Sequence, residues 1–339
     1  MLKKIAILLA ACVLAMSLAA CGSNGSSSGS SSSSSGGSDD GTYKMTYIVS
    51  IDDEFLNLLY HTVATTADEM GIDLDLRYAG TDANKVIDCI RQADAEGKDA
   101  VIVNLVSSAD ADACIEAAGD MKIVFINRVP YDLTVMGDNA AAVVSDDNTS
   151  GGYMGDFLVS SCNAKGQKDA RYVMLQGTPD LVHTILRSEI PMQKLQDAGI
   201  KTTEVATIMA DYDRSTAASA MTDLLKQTKD FDLLISNNDA MALGAIQSIK
   251  DAGLDPADYT IVGVDGLSDA LAAIEKGEMS MTVYQSAKGQ AVGSLRAAVN
   301  MLEGNDLLEG MDYTLSEESD RLIYIPYEPI TADNVADYK

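Results

Sequence analysis

One β-α-β unit in the second half of the chain constrains the fold most. An apolar run of strand length, Phe231–Ser236, is followed by the polar segment Asn237–Asp239, an alanine-rich helical pattern, a glycine and a second apolar run, Thr260–Asp265. The two strands of such a unit pair in parallel. Ligands of open α/β sheets lie beyond the carboxyl ends of the strands. We therefore expect Asn238 and Asp265 side by side at one rim, offering an amide and a carboxylate to a polyhydroxylated ligand.

The simpler alternative for each residue of this rim is structural. Asp239 could cap the following helix, and Asp265 could be a turn residue before Gly266. The joint placement at equivalent ends of neighbouring strands favours a binding site.

The same alternation of strand and helix patterns extends over almost the whole chain from Tyr43 onward. It predicts an α/β fold with parallel sheets covered by helices on both faces. The roughly 300 residues involved are too many for one such sheet, so two domains are expected. The strands are predicted at residues 44–50, 72–78, 100–105, 122–127, 141–145, 171–176, 203–209, 231–236, 260–265, 281–285 and 322–326.

The first 42 residues have the composition of a secretory leader and a tether. A cationic start, Met1–Lys4, precedes an apolar stretch to residue 20, and Leu18-Ala-Ala-Cys21 resembles the bacterial lipobox. That resemblance implies a signal peptide over residues 1–20, lipidation of Cys21, and an extracytoplasmic protein that is lipid-anchored to the bacterial cell membrane. Residues 21–42 are rich in Ser and Gly and are predicted to be a flexible linker.

Charge and cysteine usage exclude several classes of partner. The formal net charge of −27 disfavours nucleic acid and anionic membrane surfaces, so membrane contact is expected through the lipid anchor only. With 2 His and no Cys/His pair at metal spacing, no metal site is predicted. Cys89, Cys114 and Cys162 are expected as buried thiols in helices, with a Cys89–Cys114 disulfide as the alternative.

Polar and aromatic residues stand at or just beyond the predicted strand ends in both halves. No nucleophile elbow, phosphate loop, dinucleotide fingerprint or zinc-protease motif is present, so neither an enzyme nor a cofactor is predicted. Carboxylates, amides and a guanidinium around aromatic rings suit a sugar, because the rings cover its C–H faces and the polar groups bind its hydroxyls. These residues include Asp53, Phe55, Asn104, Asn127, Arg128, Asp180, Tyr212, Asn238, Asp265 and Gln285.

Five stretches resemble the bacterial periplasmic sugar-binding proteins of type I topology, closest to the galactose/glucose-binding group, over residues 45–330. This resemblance implies two doubly wound, Rossmann-like lobes joined by a three-segment hinge near Asp147, Gln285 and Glu318. The N-terminal lobe would comprise residues 43–147 plus 286–318, and the C-terminal lobe 148–285 plus 319–339. The stretches are Ile51–Phe55, Val103–Val106, Phe125–Arg128, Asn237–Gly244 and Gly263–Asp265.

The resemblance also implies roles for individual side chains. Phe55 and Tyr212 would stack on opposite faces of the sugar. Arg128 would either contact the ligand or serve as an ion-pair partner beside the hinge. The remaining polar ligands would be Asp53, Asn104, His183, Arg187, Asn238, Asp265 and Gln285, which makes ten predicted ligand-binding residues in all.

One loop departs from the family pattern. The chain reads Gly177-Thr-Pro-Asp-Leu-Val-His-Thr-Ile-Leu-Arg187, which retains Arg187 and places Leu181 and His183 where relatives have a His and an Asp. An apolar side chain and an unpaired arginine would favour a ligand whose edge is deoxygenated, alkylated or anionic. A slipped alignment, in which Asp180 supplies the carboxylate, is the alternative.

The function implied is that of a monomeric solute-binding lipoprotein. It would capture a monosaccharide, a hexose or hexose derivative, between the lobes and deliver it to the membrane subunits of an ABC importer. The alternative is a sensor that presents its closed form to a receptor kinase or chemoreceptor. An enzyme of this fold is disfavoured by the missing nucleophile–base pair.

Overall fold

The computed structural model of the chain describes residues 42–50 and 53–338, so the leader, the linker and Cys21 lie outside the described residues. Within this part, strands and helices alternate as predicted. The strands are β1 (Lys44–Val49), β2 (Asp73–Tyr78), β3 (Ala100–Val103), β4 (Lys122–Ile126), β5 (Ala140–Val144), β6 (Asp169–Gln176), β7 (Lys201–Met209), β8 (Leu233–Ser236), β9 (Thr260–Asp265), β10 (Met281–Gln285), β11 (Thr314–Leu315), β12 (Leu322–Tyr324) and β13 (Tyr327–Thr331). The α-helices are α1 (Glu54–Met70), α2 (Ala83–Ala95), α3 (Ala111–Ala118), α4 (Asp147–Ala164), α5 (Val182–Asp197), α6 (Arg214–Gln227), α7 (Asp239–Asp251), α8 (Ser268–Glu275) and α9 (Ala287–Glu303).

The strands form two sheets, each the centre of one lobe. The first sheet has the order β11-β12-β5-β4-β3-β1-β2, and the second has the order β13-β10-β9-β8-β6-β7. Pairing is parallel except for β11 with β12 and β10 with β13, which are antiparallel edge pairs. The strands of the predicted β8-α7-β9 unit pair in parallel, with Leu233 opposite Thr260.

Helices cover both faces of each sheet, which explains why the strands read as continuous apolar runs. In the first lobe, α1 and α9 pack on one face, and α2 and α3 pack on the other. In the second lobe, α6, α7 and α8 cover one face, and α4 and α5 cover the other. The predicted fold class, two doubly wound α/β lobes, is confirmed.

Helix ends follow simple capping rules. Asp53 caps α1 by accepting a hydrogen bond from the backbone N–H of Leu56 at 2.7 Å, and Gly71 ends the helix in the left-handed conformation with φ 70°. Asn238 caps α7 in the same way, accepting from the N–H of Met241 at 2.9 Å. Both caps lie at the carboxyl ends of strands, so the capping residues also face the space between the lobes.

The chain passes between the sheets three times, and the third passage differs from the prediction. The first two lie between β5 and α4 and between β10 and α9, near the expected Asp147 and Gln285. The third lies after Ile325, not near Glu318, because β12 pairs in parallel with β5 of the first sheet. Pro326 then separates β12 from β13. An apolar run near the end of the chain could extend either sheet, and its sequence alone does not choose between them.

The described cysteines form no disulfide. Cys114 and Cys162 are buried and Cys89 is only half-buried, and all three are free thiols, so the Cys89–Cys114 bridge does not form. Within residues 42–50 and 53–338, no helix combines the length and apolar character needed to cross a membrane.

Candidate ligand-binding site

A small cavity lies between the two lobes. The structure brings together nine of the ten residues predicted for the site. The cavity is lined by Asp53, Phe55, Leu56, Asn127, Arg128, His183, Arg187, Tyr212, Asn238, Asp265 and Gln285.

Asn104 is the predicted residue that does not line the cavity. It is fully buried behind Asn127, to whose side-chain oxygen its amide donates at 3.4 Å, and it accepts a hydrogen bond from Ser50. β3 ends one residue before Asn104, so its side chain lies one layer deeper than expected. Asn127 takes its place at the surface of the cavity. Its position directly after β4 placed it among the strand-end candidates, but only its neighbour Arg128 was predicted as a ligand.

Arg128 supplies the cationic side of the first-lobe wall. The residue is 3% exposed, and its Nη1 donates to the hydroxyl of Ser50 and to the carbonyl of Leu105. Its Nε is buried without a hydrogen-bond partner. Burial lowers the pKa of the guanidinium, while the charge of Asp53 opposes that shift. The group remains a charged donor, and an acceptor on a ligand in the cavity would satisfy its Nε–H.

Each lobe contributes an aromatic ring to the lining of the cavity. They are Phe55 from the first lobe and Tyr212 from the second, and each residue is 4% exposed. The Tyr212 hydroxyl is hydrogen-bonded to the Thr184 hydroxyl, which fixes the ring. His183 lies next to it, with 5.4 Å between ring centroids. Burial, with help from the two cavity arginines, lowers the pKa of His183, so its imidazole is neutral.

The Tyr212 ring also depends on Gly177, since a Cβ at that glycine would lie 1.9 Å from the tyrosine Cζ. We expect Gly177→Ala to force the ring out of position and to destabilise the protein by about 1–3 kcal/mol, the usual cost of overpacking. The measurement is urea denaturation without ligand. Gly152→Ala is the control, because nothing lies within 4 Å of a Cβ at Gly152. Equal stability of the two variants would show that the Tyr212 ring does not depend on Gly177.

Asp265 supplies the anionic side of the second-lobe wall. Its Oδ1 accepts from Nε2 of Gln285 at 3.1 Å, and its Oδ2 is buried without a partner. Its backbone has φ 125°, a conformation that residues with a side chain rarely adopt. Burial raises the pKa of its carboxyl well above the ordinary value; Arg187 opposes this, and Asp239, Asp53 and Asp147 add to it.

Arg187 is held by the protein on three sides. It donates to Asp147 Oδ1 at 2.9 Å, to the carbonyl of Asn237 at 3.0 Å and to the Tyr327 hydroxyl at 2.7 Å. Asp147 begins α4 at the first crossing and Tyr327 begins β13 after the third. This buried network therefore joins the wall of the cavity to the hinge.

The expected effect of the departing loop is wrong in two respects. Leu181 is fully buried in the core of the second lobe and does not reach the cavity. Arg187 has the carboxylate of Asp147 as its partner, so the edge carries no uncompensated charge. The residue before a helix can point into the core or into the cleft, and the linear sequence did not distinguish these. The predicted preference for a deoxygenated, alkylated or anionic edge loses its basis.

Contacts across the mouth of the cavity hold the lobes together. Arg214 of the second lobe forms a two-armed ion pair with Glu54 of the first, with both N–O distances 2.6 Å. The Tyr131 hydroxyl donates to the carbonyl of Asp180 at 2.7 Å. Deeper in, the amide of Asn127 donates to Gln285 at 3.3 Å. The structure is thus a closed form in which a ligand would be enclosed.

The chemistry of the cavity is that of a polar binding site. One wall offers an unmatched donor, the Arg128 Nε, and the other an unmatched acceptor, the Asp265 Oδ2. Buried polar atoms of this kind are rare and need partners. Hydroxyl groups can serve both, because each donates and accepts. Among the described residues, no group of three or more His, Cys, Asp and Glu is arranged to hold a metal ion.

Known proteins resemble the chain over most of its length. A family model for the periplasmic binding protein domain matches residues 47–306. A protein of Rhizobium meliloti described as rhizopine-binding is 31% identical over 301 residues, covering 85% of this chain and 89% of the relative. The D-galactose/methyl-galactoside binding periplasmic protein of Haemophilus influenzae is 29% identical over 306 residues, covering 86% of this chain and 90% of the relative.

Solved structures show the same architecture. An ABC transporter solute-binding protein from Bacillus halodurans with bound myo-inositol is 25% identical with a TM-score of 0.75, covering 89% of this chain and 99% of the other. These relatives are binding proteins, not enzymes, as predicted. The chain belongs to the family of periplasmic binding proteins of type I fold.

Proposed function

We propose that the protein is an extracytoplasmic lipoprotein that captures a monosaccharide, a hexose or hexose derivative, and delivers it to an ABC importer. The observation that carries the proposal is a pair of buried atoms without partners within the protein, a donor on Arg128 and an acceptor on Asp265, in a cavity that an aromatic ring from each lobe helps to line. A cyclic polyhydroxylated ligand satisfies both atoms and presents C–H faces to the rings. The names of the relatives support the same class, since they include galactose, methyl-galactoside, ribose and myo-inositol binding.

The experiment is a thermal-shift screen of residues 41–339 with D-galactose, methyl β-D-galactoside, D-ribose and myo-inositol. A ligand that binds only the native state stabilises it by about 2.7 kcal/mol at 100 times its Kd, which appears as a raised Tm. D-Mannitol is the matched control, because it carries hydroxyls but no ring. Equal shifts for all compounds, mannitol included, would contradict a shaped site.

Delivery to an importer is tested in cells. Deleting the gene should abolish uptake of the ligand that the screen identifies, and the parent protein should restore it. If binding is tight in the purified protein while uptake is unchanged by the deletion, the sensor function replaces the importer function.

Membrane attachment gives a separate prediction. Replacing Cys21 with serine removes the sulfur that would carry the lipid, so we expect the protein in the medium or as an unprocessed precursor. Fractionation and immunoblotting measure this. Cys12→Ser is the control, because Cys12 lies within the leader that is removed. Unchanged membrane retention and size of the Cys21 variant would contradict lipidation.

A further inference from the structure

A buried carboxylate outside the cavity, that of Asp239, contacts the turn that carries Asp265. We propose that Asp239 is a positioning residue whose carboxylate holds the turn of residues 265–267 and thereby directs the Asp265 carboxylate into the cavity. This inference rests on the proposed function of the cavity. It assigns a role to a side chain that does not itself line the site.

Three hydrogen bonds connect Asp239 to this turn and to the neighbouring strand. Its Oδ2 accepts from the backbone N–H groups of Gly266 at 2.8 Å and Leu267 at 3.0 Å. Its Oδ1 accepts from the Thr282 hydroxyl at 2.7 Å. Asp239 is the first residue of α7, and its neighbour Asn238 already caps that helix. The carboxylate is therefore not needed as the cap and serves the turn instead.

The turn needs such support because its backbone is unfavourable. Asp265 has φ 125° and Gly266 has φ 72°. A residue with a side chain in this region costs about 1–3 kcal/mol and persists only where its surroundings fix it. The amides held by Asp239 are those of the two residues that follow Asp265. Without them, Asp265 would be free to return to a common conformation and turn its carboxylate away.

The sequence leaves room for this carboxylate. A Cβ at Gly263, two residues before Asp265 in β9, would lie 2.5 Å from Asp239 Oδ1. The Gly-x-Asp-Gly pattern at the end of β9 thus combines a glycine under the Asp239 side chain with the turn that this side chain holds. The Thr282 hydroxyl, on the adjacent β10, closes the arrangement from the other side.

The two carboxylates also interact through charge. Burial raises the pKa of Asp239 to about 7, against its three hydrogen bonds and Arg187, which favour the ionised form. Its charge in turn adds to the raised pKa of Asp265. Other ionisable groups also face this pair or its cavity. They are Asp53, Arg128, Asp147, His183, Arg187, Tyr212 and Tyr327.

The test compares Asp239→Ala, Asp239→Asn and Thr282→Val with Asp251→Asn, an exposed change at the far end of the same helix. Calorimetry measures the affinity for whichever of galactose, methyl galactoside, ribose and myo-inositol binds the parent most tightly. Hydrogen exchange measures the protection of the Gly266 and Leu267 amides. We expect Asp239→Ala to lose at least tenfold in affinity and in protection of both amides. Thr282→Val should show smaller losses in the same direction, and Asp251→Asn should match the parent.

Asp239→Asn separates geometry from charge. Its oxygen can accept from both amides and its NH₂ can donate to Thr282, so it should lose less affinity than the alanine variant. Ligand hydroxyls donate to ionised Asp265, so affinity falls as pH drops through the Asp265 pKa. Removing the Asp239 charge lowers that pKa, and the fall in affinity should move to lower pH. If Asp239 acted only by filling space, the pH at which affinity falls to half would be the same in Asp239→Asn and in the parent.

These experiments distinguish a failure of the role proposed for Asp239 from a failure of the proposed function. Parent-like affinity and amide protection in both Asp239→Ala and Thr282→Val would overturn the proposal. An unchanged midpoint in Asp239→Asn would overturn the coupling through charge. If the parent binds none of the four compounds, the proposed function fails, and the exchange of the two amides still decides whether Asp239 holds the turn.

Discussion

Titration calorimetry of Asp265→Ala with the ligand found by the screen should give an affinity roughly 10- to 150-fold below that of the parent. The carboxylate is buried, and its Oδ2 has no partner within the protein, so it is available to the ligand. A hydrogen bond to a charged group is worth about 1.5–3 kcal/mol, and each 1.4 kcal/mol is a factor of ten in Kd. Asp258→Ala, an exposed change in the turn before β9, is the control and should bind as the parent does.

The Asp265 carboxylate should also lower the stability of the unliganded protein. An unmatched buried carboxylate at φ 125° disfavours the unliganded fold. Asp265→Gly removes the group and suits the backbone, so it should bind weakly yet unfold at the parent temperature or above. Affinity near that of the parent in either Asp265 variant would rule out this carboxylate as a ligand.

Arg187→Ala should destabilise the unliganded protein by about 3–5 kcal/mol, the usual result of removing one partner of a buried ion pair. Asp147 would be left buried without its countercharge, and the Tyr327 hydroxyl and the Asn237 carbonyl would each lose a hydrogen bond. Typical stabilities are only about 5–15 kcal/mol, so this single change removes a large share. Urea denaturation without ligand measures it.

Two comparisons make the result specific to the network. Arg171→Ala breaks an exposed pair with Asp230, 3.4 Å apart, and should cost less than about 1 kcal/mol. Adding Asp147→Asn to the Arg187 variant neutralises the stranded carboxylate and should recover part of the loss. Equal losses for Arg171→Ala and Arg187→Ala would show that the network does not stabilise the hinge.

The fold was predictable because it depends on local patterns. Buried parallel strands require continuous apolar runs, and the helices between them require caps and glycine stops, so the alternation is visible without a structure. The strand ends then placed Asn238 and Asp265 on one wall. The prediction failed for a long-range strand pairing. Nothing in the sequence of residues 322–326 specifies β5 as the neighbour of β12.

Errors in the site have a different origin, namely the direction of single side chains near strand and helix ends. Asn104 was expected in the cavity and lies one layer behind it, and Leu181 was expected at its edge and lies in the core. A shift of one residue along a loop reverses such directions. Asp239 was considered only as a cap, because its partners, the amides of Gly266 and Leu267, belong to a turn 27 residues away or more.

The pairing of β12 with β5 also bears on how the protein is made. β5 ends at residue 144 and pairs with β4 on one side. Its other side has no neighbouring strand until residues 322–324 have been synthesised. α9, which packs on the same sheet, comes only after the entire second lobe up to β10. The first lobe is thus the first to begin, yet it is completed only after most of the second lobe has been synthesised. A growing chain therefore lacks a finished N-terminal lobe for nearly its whole length, a property compatible with passage through a translocation channel before folding.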